Sequence, residues 1–136
     1  MKYLPFIGRI LFSKMFITSG FHHFSDATIQ YATSKHVPMP AFFVPFSGMI
    51  AIVGGLLILL GFKAKLGAWL LVIFLVPVTI VMHNYWAILD PMAQQMQRIN
   101  FDKNTSMLGG AILIAYFGSG PVSVDALFRK KPSFYN

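Results

Sequence analysis

Three short segments of this chain hold most of its chemically capable side chains. Gly20-Phe21-His22-His23-Phe24-Ser25-Asp26 offers two imidazoles and a carboxylate, and His83-Asn84-Tyr85-Trp86 adds another imidazole. Asn100-Phe101-Asp102-Lys103-Asn104-Thr105 brings amides, an acid and an ammonium. A pocket made from His22, His23, His83, Asn84, Tyr85, Trp86, Lys103 and Asn104 suits a flat polar headgroup such as a quinone. Histidine and lysine would donate to ring carbonyls, while Phe21, Tyr85, Trp86 and Phe101 would wall and stack. A metal is the second account, with His22, His83 and Asp102 (or Asp26) as the ligand set. Its signal is weak: neighbouring His22 and His23 point about 100° apart on a helix, and no His-x-x-x-His spacing brings ligands together. The third account is that histidines and aromatics simply populate a membrane interface. All three stay open on sequence alone.

Other ionisable groups sit inside apolar runs, where a charge is costly unless paired or wet. Arg9 lies about one turn inside the first run. Asp125 follows the last run in Gly118-Ser119-Gly120-Pro121-Val122-Ser123-Val124-Asp125. If the first and last helices meet, a structural Arg9–Asp125 ion pair closes that end; the alternative is that Arg9 snorkels to headgroups. Lys14 is deeper, one turn from Thr18 on the same face. It is expected to face the bundle interior, a wet cavity or a ligand. Pro77 interrupts the third run and frees a carbonyl about one turn earlier, shaping space beneath His83.

The elements that position these groups follow from composition. Of the 136 residues, 56% are hydrophobic and 11% charged, with no cysteine and a net charge of +7. So few charges cannot clothe a soluble domain, but they suffice when lipid is the main solvent. The absence of cysteine excludes disulfides, thiolate metal sites and thiol redox chemistry. The bases fall at the ends of apolar runs, as lipid headgroups and topology demand, which argues against nucleic acid.

Four runs predict helices over approximately 4–24, 41–62, 66–88 and 104–118, each near the ~20 residues that cross a bilayer. Arg9 and Lys14 interrupt the first run, so it reads as a retained helix, not a signal peptide. The expectation is one domain over 1–136: an all-α, transmembrane four-helix bundle. Lys2, Lys63, Lys65, Arg129, Lys130 and Lys131 on one side, against Lys35, Arg98 and Lys103 on the other, place both termini in the cytoplasm.

Between the first two runs, Asp26–Tyr31 predicts a short interfacial helix capped by Ser25 or Asp26. The polar, Gln-rich stretch from Asp90 to Lys103 reads as a loop along the membrane surface. Ser47, Ala51 and Gly55 share one helix face, and Ser106 and Gly110 another with Ala111 and Ala115 beside it. Faces of this kind let helices approach closely.

The order of these landmarks resembles the DoxX family of small bacterial membrane proteins. The resemblance rests on Arg9, Gly20-Phe21-His22-His23-Phe24, Pro38-Met39-Pro40, Leu60-Gly61-Phe62, His83-Asn84-Tyr85-Trp86, Asn100-Phe101-Asp102-Lys103-Asn104 and the stretch from Gly118 to Asp125. It implies a four-helix membrane domain in a bacterial inner membrane, with relatives linked to quinone-dependent sulfur oxidation and membrane oxidoreductase assemblies. Three positions depart from the family pattern: Ala51 stands where a glutamate is frequent, His23 where a lysine is common, and Asp102 where an aromatic is usual. A redox role that needs the helix-two acid lacks it here. The resemblance therefore suggests a redox-associated accessory subunit with a quinone as candidate ligand and membrane or periplasmic redox proteins as partners. The alternatives are a non-enzymatic scaffold that assembles partners, and a small solute carrier acting as a homo-oligomer with Lys14 along its path. Whether the chain is an enzyme stays open, since it carries no nucleophile elbow, phosphate loop or dinucleotide fingerprint.

Overall fold

The computed structural model describes residues 1–128, and they are all-helical. The helices are α1 (Leu4–His22), α2 (Asp26–Ser34), α3 (Pro40–Leu60), α4 (Ala64–Met82), α5 (Pro91–Phe117) and α6 (Val124–Phe128), with a 3-10 turn over Tyr85–Ala87. α3 packs between α1 and α4, and α5 packs on α4, with Gly110 reaching Phe12 of α1. The core runs through Phe16, Ala51, Ile58, Leu71, Phe74, Leu75 and Ala111, taking one face from each of the four long helices. Arg129, Lys130 and Lys131, which weigh in the expected orientation, lie outside the described residues.

Glycine sets the helix crossings. A Cβ placed on Gly20 would lie 2.8 Å from the Gly48 carbonyl oxygen, and one on Gly48 would lie 2.7 Å from the Gly20 oxygen. The α1–α3 backbones therefore touch where both lack a side chain. Gly54 and Gly67 do the same for α3 and α4, at 2.9 and 2.8 Å from each other's carbonyl oxygens. Such close approach maximises dispersion contact where lipid offers no hydrophobic drive between helices. Of the residues expected on these faces, Ala51 and Gly55 are buried, Gly110 meets the Phe12 ring, and Ser47 turns to a histidine described below.

α3 and α4 (the latter with its 3-10 extension to Ala87) are long and apolar enough to cross a membrane. The 21 residues of α3 reach about 31 Å, which matches the hydrocarbon core. α4 continues through Pro77 and ends at Met82, short of the expected 88. α5 departs further from expectation. The Gln-rich stretch is not a surface loop but the first half of a 27-residue helix. The Asp90 carboxylate accepts from Ala93 N at 2.8 Å, and Pro91 occupies the first turn, where its missing N–H costs nothing.

At the end opposite α2, the turn between α3 and α4 is knotted to α6. Gly61 adopts φ 65° and Lys63 φ 46°. The Asp125 carboxylate accepts from Lys63 N (2.8 Å) and Ala64 N (3.4 Å), capping α4 at the positive end of its dipole. Asp125 N donates to Gly61 O at 2.8 Å. The Arg9 guanidinium, 3% exposed, donates to the carbonyls of Ile58 and Val122. A Cβ on Gly61 would overlap that guanidinium. Both charged groups hydrogen-bond to backbone atoms at this turn, while Asp125 also attracts Arg9 across it.

Candidate functional site

α1 ends at His22, the chain turns through His23 and Phe24, and Ser25 then restarts a helix. Ser25 Oγ accepts from Thr28 N at 3.4 Å, so α2 begins with the expected N-cap. α2 lies against the end of α3, and the Tyr31 hydroxyl ties it to the rest of the bundle. Beneath α2 the four long helices part around a cavity of about 510 Å³. Phe16, Ile50, Phe74 and Met107 form its apolar part, and Ser19, His23, Ser47, His83, Lys103 and Asn104 bring polar groups to it. Pro77 also lines it.

Each pocket histidine is held by one ring nitrogen. His23 Nδ1 lies 2.9 Å from Ser47 Oγ and 3.3 Å from Val44 O, and its ring packs on Phe74 with centroids 5.6 Å apart. Ser47 Oγ itself donates to Val44 O at 2.7 Å. His83 Nδ1 lies 2.7 Å from Gln97 Oε1. Gln97 Nε2 donates to Tyr31 Oη at 3.0 Å, which donates to Met82 O at 3.5 Å. A chain of hydrogen bonds thus joins α2, α4 and α5 across the cavity mouth.

The expected site residues divide into two groups. His23, His83, Lys103 and Asn104 come together around this cavity. His22, Asn84, Tyr85, Trp86 and Lys14 do not line it. His22 is exposed, about 200° around the helix from the buried Gly20. Because α4 stops at Met82, Asn84 to Trp86 swing outward. Asn84 Oδ1 accepts from Lys35 Nζ at 3.2 Å, and Tyr85, Trp86 and Phe101 pack edge-on with centroids 5.3–5.9 Å apart. Phe21 is likewise exposed, so the walls come instead from Phe16, Phe43, Phe46 and Phe74.

Lys14 corrects its expectation: it is exposed on the outside of α1. The buried stripe of that helix is Arg9, Ser13, Phe16 and Gly20, and Lys14 falls about 100° off it. The metal alternative is not assembled either. No group of three His, Asp or Glu side chains converges among the described residues, and Asp102 is exposed away from His83's cavity. Tyr31, Ser47 and Gln97 were not among the expected site residues. Their signal was present only as Tyr31 on the predicted interfacial helix and Ser47 on a small-residue face; Gln97 sat in a stretch read as loop.

The family model for DoxX matches residues 4–84, from the start of α1 to just beyond α4. The chain belongs to the DoxX family. This DoxX-family chain is 33% identical over 125 residues to inner membrane protein YphA of Escherichia coli, covering 90% of this chain and 88% of that one. It is 31% identical over 127 residues to inner membrane protein YqjF of the same species, covering 92% of each. It is also 29% identical over 123 residues to ER-derived vesicles protein ERV29 of Saccharomyces cerevisiae, where the match spans 90% of this chain but 33% of the longer yeast protein. No solved structure matches it. Family membership and the two apolar helices make it an integral inner-membrane protein. The family match includes His23 and His83 and stops before Lys103 and Asn104.

Proposed function

We propose that this DoxX-family protein is a redox-associated accessory subunit of the inner membrane that holds a quinone headgroup in the cavity beneath α2. The observation that carries the reading is the cavity itself: about 510 Å³, largely apolar, with His23, His83, Lys103 and Asn104 at its polar positions. That is the size and lining a ring with a few polar substituents requires. In this reading α1, α3, α4 and α5 all cross the bilayer, both termini are cytoplasmic, and α2 lies at the outer leaflet. Lys103 supplies a cation, and membrane or periplasmic redox proteins are the partners.

The test is quinone content. Protein purified in lipid nanodiscs is expected to carry quinone in either redox form, or to bind added decylbenzoquinone or its hydroquinone. The double variant His83→Ala, Lys103→Ala is expected to lose at least tenfold in affinity for whichever redox form wild type binds more tightly, while keeping its helix content and thermal midpoint. Wild-type protein that neither carries nor binds quinone in either redox form would overturn the reading.

A second reading, a scaffold built on helix contacts, is favoured by the outer face of α1. Gly8 has open space where a Cβ would be, and Leu11 and Lys14 are exposed beyond it. Gly109 on α5 is equally open. Partner chains or a second copy would cover these faces. The same positions weaken a carrier route past Lys14 within one bundle, since that residue lies outside the cavity.

A further inference from the structure

We infer that the cavity under α2 selects a ligand with hydroxyl donors, and so takes the reduced hydroquinone in preference to the oxidised quinone. This rests on the quinone reading above and deepens it. The argument is the direction in which each hydrogen bond must run.

Val44 O can only accept, and Ser47 Oγ spends its single proton on it at 2.7 Å. His23 Nδ1 approaches both of these oxygens, at 2.9 and 3.3 Å, so both contacts are hydrogen bonds only when Nδ1 carries the proton. The same logic applies on the opposite wall. Gln97 Nε2 donates to Tyr31 Oη, which leaves Gln97 Oε1, an acceptor, facing His83 Nδ1 at 2.7 Å. His83 therefore also carries its proton on Nδ1.

A neutral imidazole has one donor and one acceptor nitrogen. With Nδ1–H committed to the protein, the acceptor on both rings is Nε2, and neither Nε2 has a partner among the described residues. Both rings line the same cavity. Two histidines expected to serve a quinone's carbonyls as donors are thus locked as acceptors. A carbonyl oxygen facing such a nitrogen sets lone pair against lone pair, whereas a phenolic O–H completes the bond. A site whose polar groups are built for one hydrogen-bonding pattern strongly rejects the analogue lacking it. Lys103, which can only donate, remains for a ring oxygen's lone pair or an ether substituent.

The experiment titrates wild-type protein in nanodiscs with decylbenzoquinone and, under anaerobic reductant, with its hydroquinone. Hydroquinone is expected to bind at least tenfold tighter. For a two-electron couple, each tenfold preference raises the potential of the bound pair by about 30 mV, which potentiometry reads independently. Equal or tighter binding of the oxidised form overturns the hydroquinone preference and leaves the quinone site standing. If neither form binds, both readings fall. Nitrogen-15 NMR of histidine-labelled protein tests the premise without ligand: an unprotonated Nε2 on His23 and His83 is expected, and a protonated Nε2 with bare Nδ1 overturns it. Gln97→Leu removes the acceptor that fixes His83, and is expected to narrow the gap between the two forms while the fold persists.

Discussion

Single side chains secure the end of the bundle opposite the cavity. Asp125 supplies both oxygens to the first N–H groups of α4, a position where a carboxylate satisfies open donors and meets a favourable dipole. Asp125→Ala is expected to lower stability by about 1–2 kcal/mol, read from unfolding of the protein in mixed micelles, and Asp125→Asn by less because an amide oxygen still accepts. An Ala variant as stable as wild type would remove the cap from the account. The role was only half legible in sequence. Asp125 and Arg9 were expected at one end of the molecule, and there they lie. That Asp125 caps a helix starting 61 positions earlier in the chain is a fact of tertiary packing. Lys14 fails for a related reason: its depth is readable from position, but its direction depends on which face of α1 meets α3.

At the scale of helices, glycine divides into positions that another backbone occupies and positions that face outward. Gly48→Val would drive a Cβ to within 2.6 Å of His23 Cβ and 2.7 Å of a carbonyl that cannot yield. It is expected to destabilise the bundle by about 1–3 kcal/mol and to disturb His23. Gly109→Ala meets nothing within 4 Å and is expected to be neutral or to stabilise by up to about 1 kcal/mol. Thermal unfolding of the two variants in one detergent decides it; equal effects would mean that the α1–α3 crossing is not close-packed. The sequence showed that small residues recur, and even named Ala51 and Gly55. It did not reveal the Gly20–Gly48 and Gly54–Gly67 pairings, because a pairing belongs to two helices at once. The missed half of α5 has a different cause. Gln lowers hydropathy without opposing helix, and the local start signal in Asp90-Pro91 outweighed the polar composition that followed.

Across the whole molecule, membrane crossing is written most plainly in α3 and α4. α1 carries Arg9 and Lys14, and α5 begins with a polar half, so neither has the uniform apolar run of the central pair. The proposed four crossings put α2 and the α3–α4 turn on opposite sides of the bilayer. Since the chain has no cysteine, single replacements are clean probes. Ser34→Cys in sealed vesicles is expected to react with an impermeant maleimide from the periplasmic side only, and Lys2→Cys and Lys63→Cys from the cytoplasmic side only. Labelling of Ser34→Cys and Lys63→Cys from the same side would remove the crossing of α3 and the placement of the cavity with it.

Composition and the order of apolar runs, read alone, determined that this is a helical membrane protein, because solvent preference and backbone satisfaction in lipid are properties of segments. They also named the segments whose histidines, lysine and asparagine meet. The packed chain alone decided which members of those segments enter one cavity, that α2 covers it, and that Gln97 and Ser47 turn both imidazoles the same way. Those outcomes depend on the rotation of each helix about its axis and on hydrogen bonds between residues far apart in sequence, and no local pattern encodes either.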